Sequence, residues 1–253
     1  MQSEKERVSV VIIACNERER LPRLMETISF ADEVILLDSG SNDGTIEWAK
    51  QQGCLVYSSP WEGYVKQKNK AMELATCSWI LSVDCDEWLS EDLEEAIQQT
   101  LKKPLNDAYL VERCNHWIDS PMHYGIFGKD RAIRLFRKGS GVWEGIEPHD
   151  RYVSHGTVGV VQGVLHHQPY NSWTEHLEHI HQYSTLAAQD LYNKGKAVYI
   201  WDPLFRALWH LVRALVVSFG WLDGWRGIIV AFLGGYYTFL KWGKLLWKQQ
   251  RSL

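Results

Sequence analysis

A chain of 253 residues, 45% hydrophobic and 23% charged, is long and apolar enough to close a core as one domain or one domain with an appendage, so disorder is not the default expectation. Its five cysteines stand singly with no C-x-x-C pair, which argues against a disulfide framework and a zinc site and fits a reducing cytoplasm. The net charge of -4 hides an asymmetry: residues 202–253 carry seven Lys/Arg against two acids, and the first 201 residues carry 20 against 29. The two parts are expected to face different surroundings, and a net-negative first part without a basic stripe disfavours nucleic acid as a partner.

The first residues begin charged and give only a short apolar run, so no secretory signal is expected. VSVVIIAC (Val8 to Cys15) is a continuous β-branched run that suits a strand buried on both faces. A helix from about Leu21 to Ser29 follows, then the strand EVILLD ending at Asp38, a Gly/Ser/Asn turn and a helix opened by Asp43 and Thr45. A short strand at Leu55 to Tyr57, a helix from Val65 to Ala75 and the strand WILSVD ending at Asp84 complete a strand-then-helix rhythm, the mark of a mostly parallel α/β sheet. Ser90 reads as the N-cap of an amphipathic helix. From Ala108 to His166, shorter alternating runs predict added strands and a long variable loop, and beyond Ser172 the chain reads as helical, Trp-rich from Leu204 to Trp247. The expected organisation is a catalytic domain over 1–170 and a helical region over 171–253.

Polar loops therefore gather at the C-terminal ends of strands, where ligands bind in open α/β sheets. In LLDSGSNDGT, Asp38 ends a buried strand before a Gly-containing turn; it is placed to accept hydrogen bonds from a base edge or ribose, while N–H groups at the helix start favour anions. The plainer reading of Asp43 is an Asx-type turn capping the helix. In SVDCDEW, Asp84 and Asp86 form a D-x-D whose carboxylates are able to converge with diphosphate oxygens on a hard divalent ion; an isolated acidic turn of this kind is also commonly just solvated.

The ordered set CNERE, DSGSNDGT, GYVKQKNKA and WILSVDCDEW resembles the family 2 glycosyltransferases with the GT-A fold, over roughly residues 8 to 90. The resemblance implies that Asn16 and Glu17 lie beside a nucleotide, that Asp38 contacts uracil or ribose, that Lys66 to Asn69, including Lys68, line the donor pocket, and that Asp84 and Asp86 bind ribose and metal, Mg²⁺ or Mn²⁺. A solvated helix face is the competing reading for Lys66, Lys68 and Lys70. RAIRLFRKGSGVWEGIEPHD with GVLHH further on, and GWLDGWRG near the C-terminus, resemble the subgroup of lipopolysaccharide inner-core β-1,4-glucosyltransferases, with His149 and Asp150 where that subgroup has His-Glu. The implied reaction is inverting transfer of a hexose, glucose first, from a UDP-sugar to the heptose of a lipid-linked core glycan. Asp150 is the first candidate for the base, with Glu147 or Glu144 in reserve and a salt bridge from Asp150 to Arg151 or a nearby arginine as the plainer reading.

Of the clustered His149, His155, His166 and His167, no four-ligand zinc site is expected; His149 or His166 is the candidate to touch the diphosphate or complete a cation's shell. The longest charge-free C-terminal run, Gly227 to Leu240, is 14 residues, short of the roughly 20 that span a bilayer. Its Trp, Tyr and basic residues suit an interfacial helix on the inner face of the cytoplasmic membrane, against the alternative of a hairpin packed on the catalytic domain. Other functional classes remain as alternatives: a nucleotidyltransferase, which more often has a basic Gly-rich loop after strand one, or a catalytically silent nucleotide-sugar or membrane-binding scaffold.

Overall fold

The computed structural model describes residues 6–128, 130–146 and 149–251, with Ile146 and His149 described by backbone alone. They form two compact units, one of residues 6–113 with 130–167 and one of 114–128 with 168–251.

In the first unit β1 (Val8–Ala14), α1 (Leu21–Glu26), β2 (Glu33–Asp38), α2 (Thr45–Gln51), β3 (Leu55–Ser58), α3 (Tyr64–Leu74) and β4 (Trp79–Ser82) follow the strand–helix rhythm of the sequence. After them along the chain come β5 (Glu87–Leu89), α4 (Glu91–Lys102), β6 (Ala108–Trp117), the short β7 (Ser120–Pro121), which falls in the second unit, then β8 (Asp130–Arg137), the hairpin β9 (Gly141–Ile146) and β10 (His149–Ser154), and β11 (Val158–His167). The sheet order is β3-β2-β1-β4-β8-β6-β11-β5. β3, β2, β1 and β4 are parallel, whereas β8 runs antiparallel to both β4 and β6, so the sheet is mixed, its parallel half built by the first four strands.

Alternate residues of a strand face opposite sides of its sheet, and this explains the unbroken apolar run of β1. Val8, Val10 and Ile12 enter one core with Leu21 and Leu24 of α1 and Leu93 and Ile97 of α4. Val11 enters a second core with Ile35, Leu37, Ala71 of α3 and Phe136. The chain winds from β1 to β2 and β3 on one side and returns to β4 on the other, so the β1–β4 seam is the topological switch point where α/β sheets open a crevice.

α4 is capped as its sequence signals, Leu93 N–H donating to Ser90 Oγ at 3.2 Å. The same hydroxyl accepts from Val164 N–H at 3.1 Å, which ties β11 to the cap. Gly163 makes that approach possible: its φ is +102°, and a Cβ there would lie 2.4 Å from Leu93 N.

The second unit holds α5 (Trp173–Asn193), α6 (Asp202–Val212) and α7 (Gly224–Arg251). The apolar stretch that reads as continuous from 204 to 247 breaks between α6 and α7 into a π-turn and a 3-10 turn, with Phe219 at φ 55° and Gly224 at φ 64°. Residues 114–128 join this unit, inside the range expected for the first domain, because their side chains find partners among the helices. Trp117 Nε1 donates to His176 Nδ1 at 3.1 Å, and Asp223 accepts from the backbone N–H groups of His123 and Tyr124. Burial, and then the neighbouring His179, push the His176 pKa down to about 4 from 6.5.

Two outcomes follow from these contacts. Gly163→Ala should destabilise the protein by about 1–3 kcal/mol, since neither the backbone angle nor the gap admits a methyl group; a thermal melt unchanged from the parent would contradict this. Between pH 6.5 and about 4 the unfolded chain binds a proton at His176 that the folded chain refuses, so stability should fall as the pH drops through that window. His176→Gln should remove that part of the pH slope, as read from melting temperatures at successive pH values.

Candidate active site

The turn after β4 carries Asp84, Cys85 and Asp86. It is closed by Glu87, which is fully buried: Glu87 N–H donates to the Asp84 carbonyl at 3.0 Å, and Asp84 N–H donates to Glu87 Oε2 at 3.0 Å. Cys85 points between the two aspartates into the core, its thiol donating to the Ile13 carbonyl at 3.3 Å, and burial with the surrounding carboxylates pushes its pKa far up. It is a packing residue, not a thiolate.

Lys68, on α3, is 5% exposed and lies between two carboxylates: Nζ is 2.9 Å from Asp84 Oδ1 and 2.8 Å from Asp150 Oδ2. Arg134 of β8, itself buried, reaches Asp84 Oδ2 at 3.0 Å and Glu87 Oε1 at 2.5 Å, and Arg113 approaches Glu87 at 3.5 Å. Burial alone would favour the neutral acid at Asp84, but the Lys68 ammonium and the Arg134 guanidinium outweigh it and hold the carboxyl well below the usual carboxylate range. The carboxylates Asp84 and Glu87 in turn hold the Arg134 guanidinium charged against its burial.

The hairpin β9–β10 brings Asp150 to this hub. Asn69 of α3 substitutes for a strand partner, donating to the Trp143 carbonyl at 2.9 Å and accepting from Trp143 N–H at 3.0 Å. On β10, Tyr152 stacks on Phe136 with ring centroids 3.8 Å apart, two residues along from Asp150 and hence on the same side. The Trp143 ring lies 4.5 Å below Lys68 Nζ, a cation–π contact that adds to the two ion pairs. Arg151 faces Glu144 across the hairpin, so the salt bridge Asp150 makes is to Lys68 and not to its neighbour.

Asp86 lies at the open side of the turn, with Oδ2 at 3.3 Å from His167 Nε2 at the end of β11. The preceding His166 faces the other way and stacks on Trp88. Glu147 lies outside the described residues, and so does the side chain of His149.

The remaining expected residues line the loops after β1 and β2. Asn16, at φ 59°, accepts from Asn42 N–H at 2.8 Å and donates its own N–H to Ser41 Oγ at 2.8 Å. Glu17 donates its N–H to Thr45 Oγ1 and pairs with Arg20 at 3.1 Å. The Asp43 carboxylate accepts from Arg18 N–H and Thr45 N–H, which is the expected Asx-type turn, although the N-cap of α2 is Gly44 and not Asp43; these bonds lock the two loops together. Asp38 is buried and takes the N–H groups of Gly40 and Ser41, at 2.7 and 3.0 Å, so it shapes its own turn. Gln67, also buried, fastens α3 to that turn through Ser39 Oγ at 2.7 Å. Lys66 is exposed and outside the hub, and Lys70 pairs with Glu62 at 2.5 Å.

Sequence reasoning brought Asp84, Asp86, Asp150, Lys68 and Asn69 to this site and missed Glu87, Arg134, Trp143 and the placement of His167 beside Asp86. Glu87 adjoins the D-x-D and was legible there; the others are brought in by strand pairing.

A mixed α/β sheet with an acidic turn at its switch point, joined by a buried cation to a hairpin acid, is a GT-A-type fold. The fold matches that of the mannosyltransferase PcManGT from Pyrobaculum calidifontis, solved with GDP-Man and Mn²⁺, with a TM-score of 0.56 at 15% identity over 98% of this chain and 89% of that one. Residues 9–120 match the model of glycosyl transferase family 2. Along most of its length it is similar to an uncharacterized glycosyltransferase of Rickettsia felis, 28% identical over 95% of this chain and 89% of the relative. It is equally similar to the lipopolysaccharide core biosynthesis glycosyltransferase LpsC of Rhizobium meliloti, 28% identical over 94% and 91% of the two chains.

Removing the hub cation is the direct test of its role. Lys68→Met should cost about 3–5 kcal/mol, because Asp84 and Asp150 would lose a cation they share out of bulk water. The Asp84 pKa is depressed below its unfolded value of 3.8, so its contribution is present above that value and is lost as the pH falls through the folded pKa. The variant should therefore begin acid unfolding at higher pH than the parent; coincident acid titrations followed by circular dichroism would contradict the assignment.

Proposed function

We propose that the protein transfers a hexose, glucose first, from a UDP-sugar to a cell-envelope glycan, the heptose of the lipopolysaccharide inner core, with inversion at the anomeric carbon. The observation that carries this reading is Lys68 held by both Asp84 and Asp150, which unites the donor-side turn and a candidate base in one pocket. The core-biosynthesis relative supports the acceptor class.

The donor set at the turn fits a hard divalent ion. Asp86 Oδ2 and His167 Nε2 are 3.3 Å apart, close to the separation of about 3 Å between neighbouring ligands with bonds of 2.0–2.2 Å. Asp84 has both oxygens engaged by Lys68 and Arg134, which suits it to orienting a ribose while Asp86 and His167 hold the metal. Bound there, the ion supplies Lewis-acid stabilisation of charge on the leaving diphosphate.

The chain's own residues do the rest. The loops after β1 and β2, fixed by Asn16, Asp38 and Asp43, frame the nucleotide, with Gln67 and Ser39 beside them. Asp150 takes the proton of the acceptor hydroxyl as that oxygen attacks the anomeric carbon from the face opposite the diphosphate. Lys68 positions that carboxylate against Asp84, so one side chain fixes both halves of the site.

Turnover of labelled UDP-glucose, UDP-galactose and GDP-mannose on heptose-terminated core oligosaccharide tests this directly. Asp150→Asn should lower kcat on the order of 10²–10⁴-fold with little change in the donor KM. His167→Ala should raise the concentration of Mn²⁺ needed for half-maximal rate by about 10–100-fold. Full activity in Asp150→Asn would remove it as the base, and activity undiminished by chelator would remove the metal.

A further inference from the structure

The helical unit carries a surface formed by none of the residues of the proposed site. On α6 the exposed side chains Leu204, Phe205, Leu208, Trp209 and Val212 recur at helical spacing, while Pro203 and Ala207 are buried on the opposite side. On α7 the exposed stripe is Trp225, Ile228, Phe232, Tyr236 and Phe239, opposite the buried Val230, Ala231, Thr238 and Trp242. The turns between the two helices add Val216, Val217, Phe219, Trp221 and Leu222, all exposed. Phe205 and Trp209 are each 64% exposed. Single exposed apolar residues are ordinary, but fifteen large ones on one helix pair and its turns mark an interaction surface.

The array sits on one built element. Asp202–Val217 and Gly220–Arg251 pass the length and hydropathy test of a membrane span only as a pair, bent by 73°, and no single described helix is long and apolar enough to cross a membrane. Glycines fasten the bend: a Cβ at Gly227 would lie 1.8 Å from Gly220 O, and one at Gly234 2.3 Å from His210 Nε2. Close backbone approach through small residues is how helices pack where water does not drive them together.

Charge selects the occupant. Residues 202–251 hold seven Lys/Arg and two acids. Both acids are taken up locally, Asp202 by Arg206 at 3.0 Å and by Tyr199 N–H, and Asp223 by the N–H groups of His123 and Tyr124. Arg226 lies over Trp225 at 4.6 Å and Arg251 over Trp247 at 4.3 Å, so basic heads flank aromatic rings at the edge of the apolar stripe. A second copy of this face would set like charge against like. An anionic lipid surface offers acyl chains to the stripe, an interface to the Trp and Tyr rings, and opposite charge to the bases.

We infer that the bent α6–α7 pair is a monotopic membrane wedge, which lies in one leaflet of an anionic bilayer with the turn at 216–222 as its deepest part. This stands independently of the glycosyl-transfer reading, since it is tested by lipid binding without any substrate.

The test is flotation of the full chain with vesicles of phosphatidylcholine alone and of phosphatidylcholine with phosphatidylglycerol, with Trp fluorescence read against brominated lipid. The protein should float with the anionic vesicles, less at high salt, and its fluorescence should be quenched. Two double variants, Phe205→Asp/Trp209→Asp and Trp221→Asp/Leu222→Asp, should each lower the bound fraction more than about tenfold while keeping the parent's circular dichroism and melting temperature. A parent that stays with the soluble fraction, or floats without quenching, overturns the wedge. So does a lipid-free dimer in sedimentation that both variants dissociate, which would make a second copy the occupant.

Discussion

One ammonium group organises the first unit. Lys68 arrives on a helix packed against the parallel half of the sheet, and its charge is almost wholly removed from water. A lone buried charge costs several kcal/mol, so Lys68 is tolerated only because Asp84, Asp150 and the face of Trp143 surround it. Each of those partners comes from a different element, so the turn after β4 and the β9–β10 hairpin are placed relative to α3 by the need to compensate one charge.

Arg134 extends the same logic. It neutralises Glu87, the fully buried acid that closes the D-x-D turn, and shares Asp84 with Lys68. Three carboxylates and two cations thereby form a network in which each charge has a partner, and Asp86 alone of the turn's acids is directed towards His167. The division of labour within D-x-D follows: one aspartate is locked by basic side chains, the other is left facing an imidazole, and the residue between them is buried.

Much of this was legible in the sequence. The unbroken apolar run of β1 announced a strand with two buried faces, and Ser90 announced its helix, because both signals are local. The acids at strand ends were legible for the same reason. The site's basic and aromatic half was not: Arg134 reads as an ordinary outward residue of RAIRLF, and Trp143 as part of a loop, until strand order places them over α3. His166 and His167 are adjacent in sequence, and only the register of β11 against β5 decides which of them meets Asp86. The C-terminal stretch reads as continuously apolar, with a hairpin only as the alternative, because its composition is continuous. The bend comes from Phe219 and Gly224 in left-handed conformation and from glycines that admit close contact, none of which hydropathy reports.

The most direct measurement is calorimetric titration of the folded protein with UDP, with UDP-glucose and with GDP-mannose, each in Mn²⁺, in Mg²⁺ and in chelator. A site built from Asp86, His167 and the loops after β1 and β2 should bind UDP and UDP-glucose only with metal, and Asp86→Asn should abolish the metal dependence together with the binding. Equal affinity in chelator, or no binding of any nucleotide by a demonstrably folded sample, would contradict the assignment of this pocket to a metal-held nucleotide sugar.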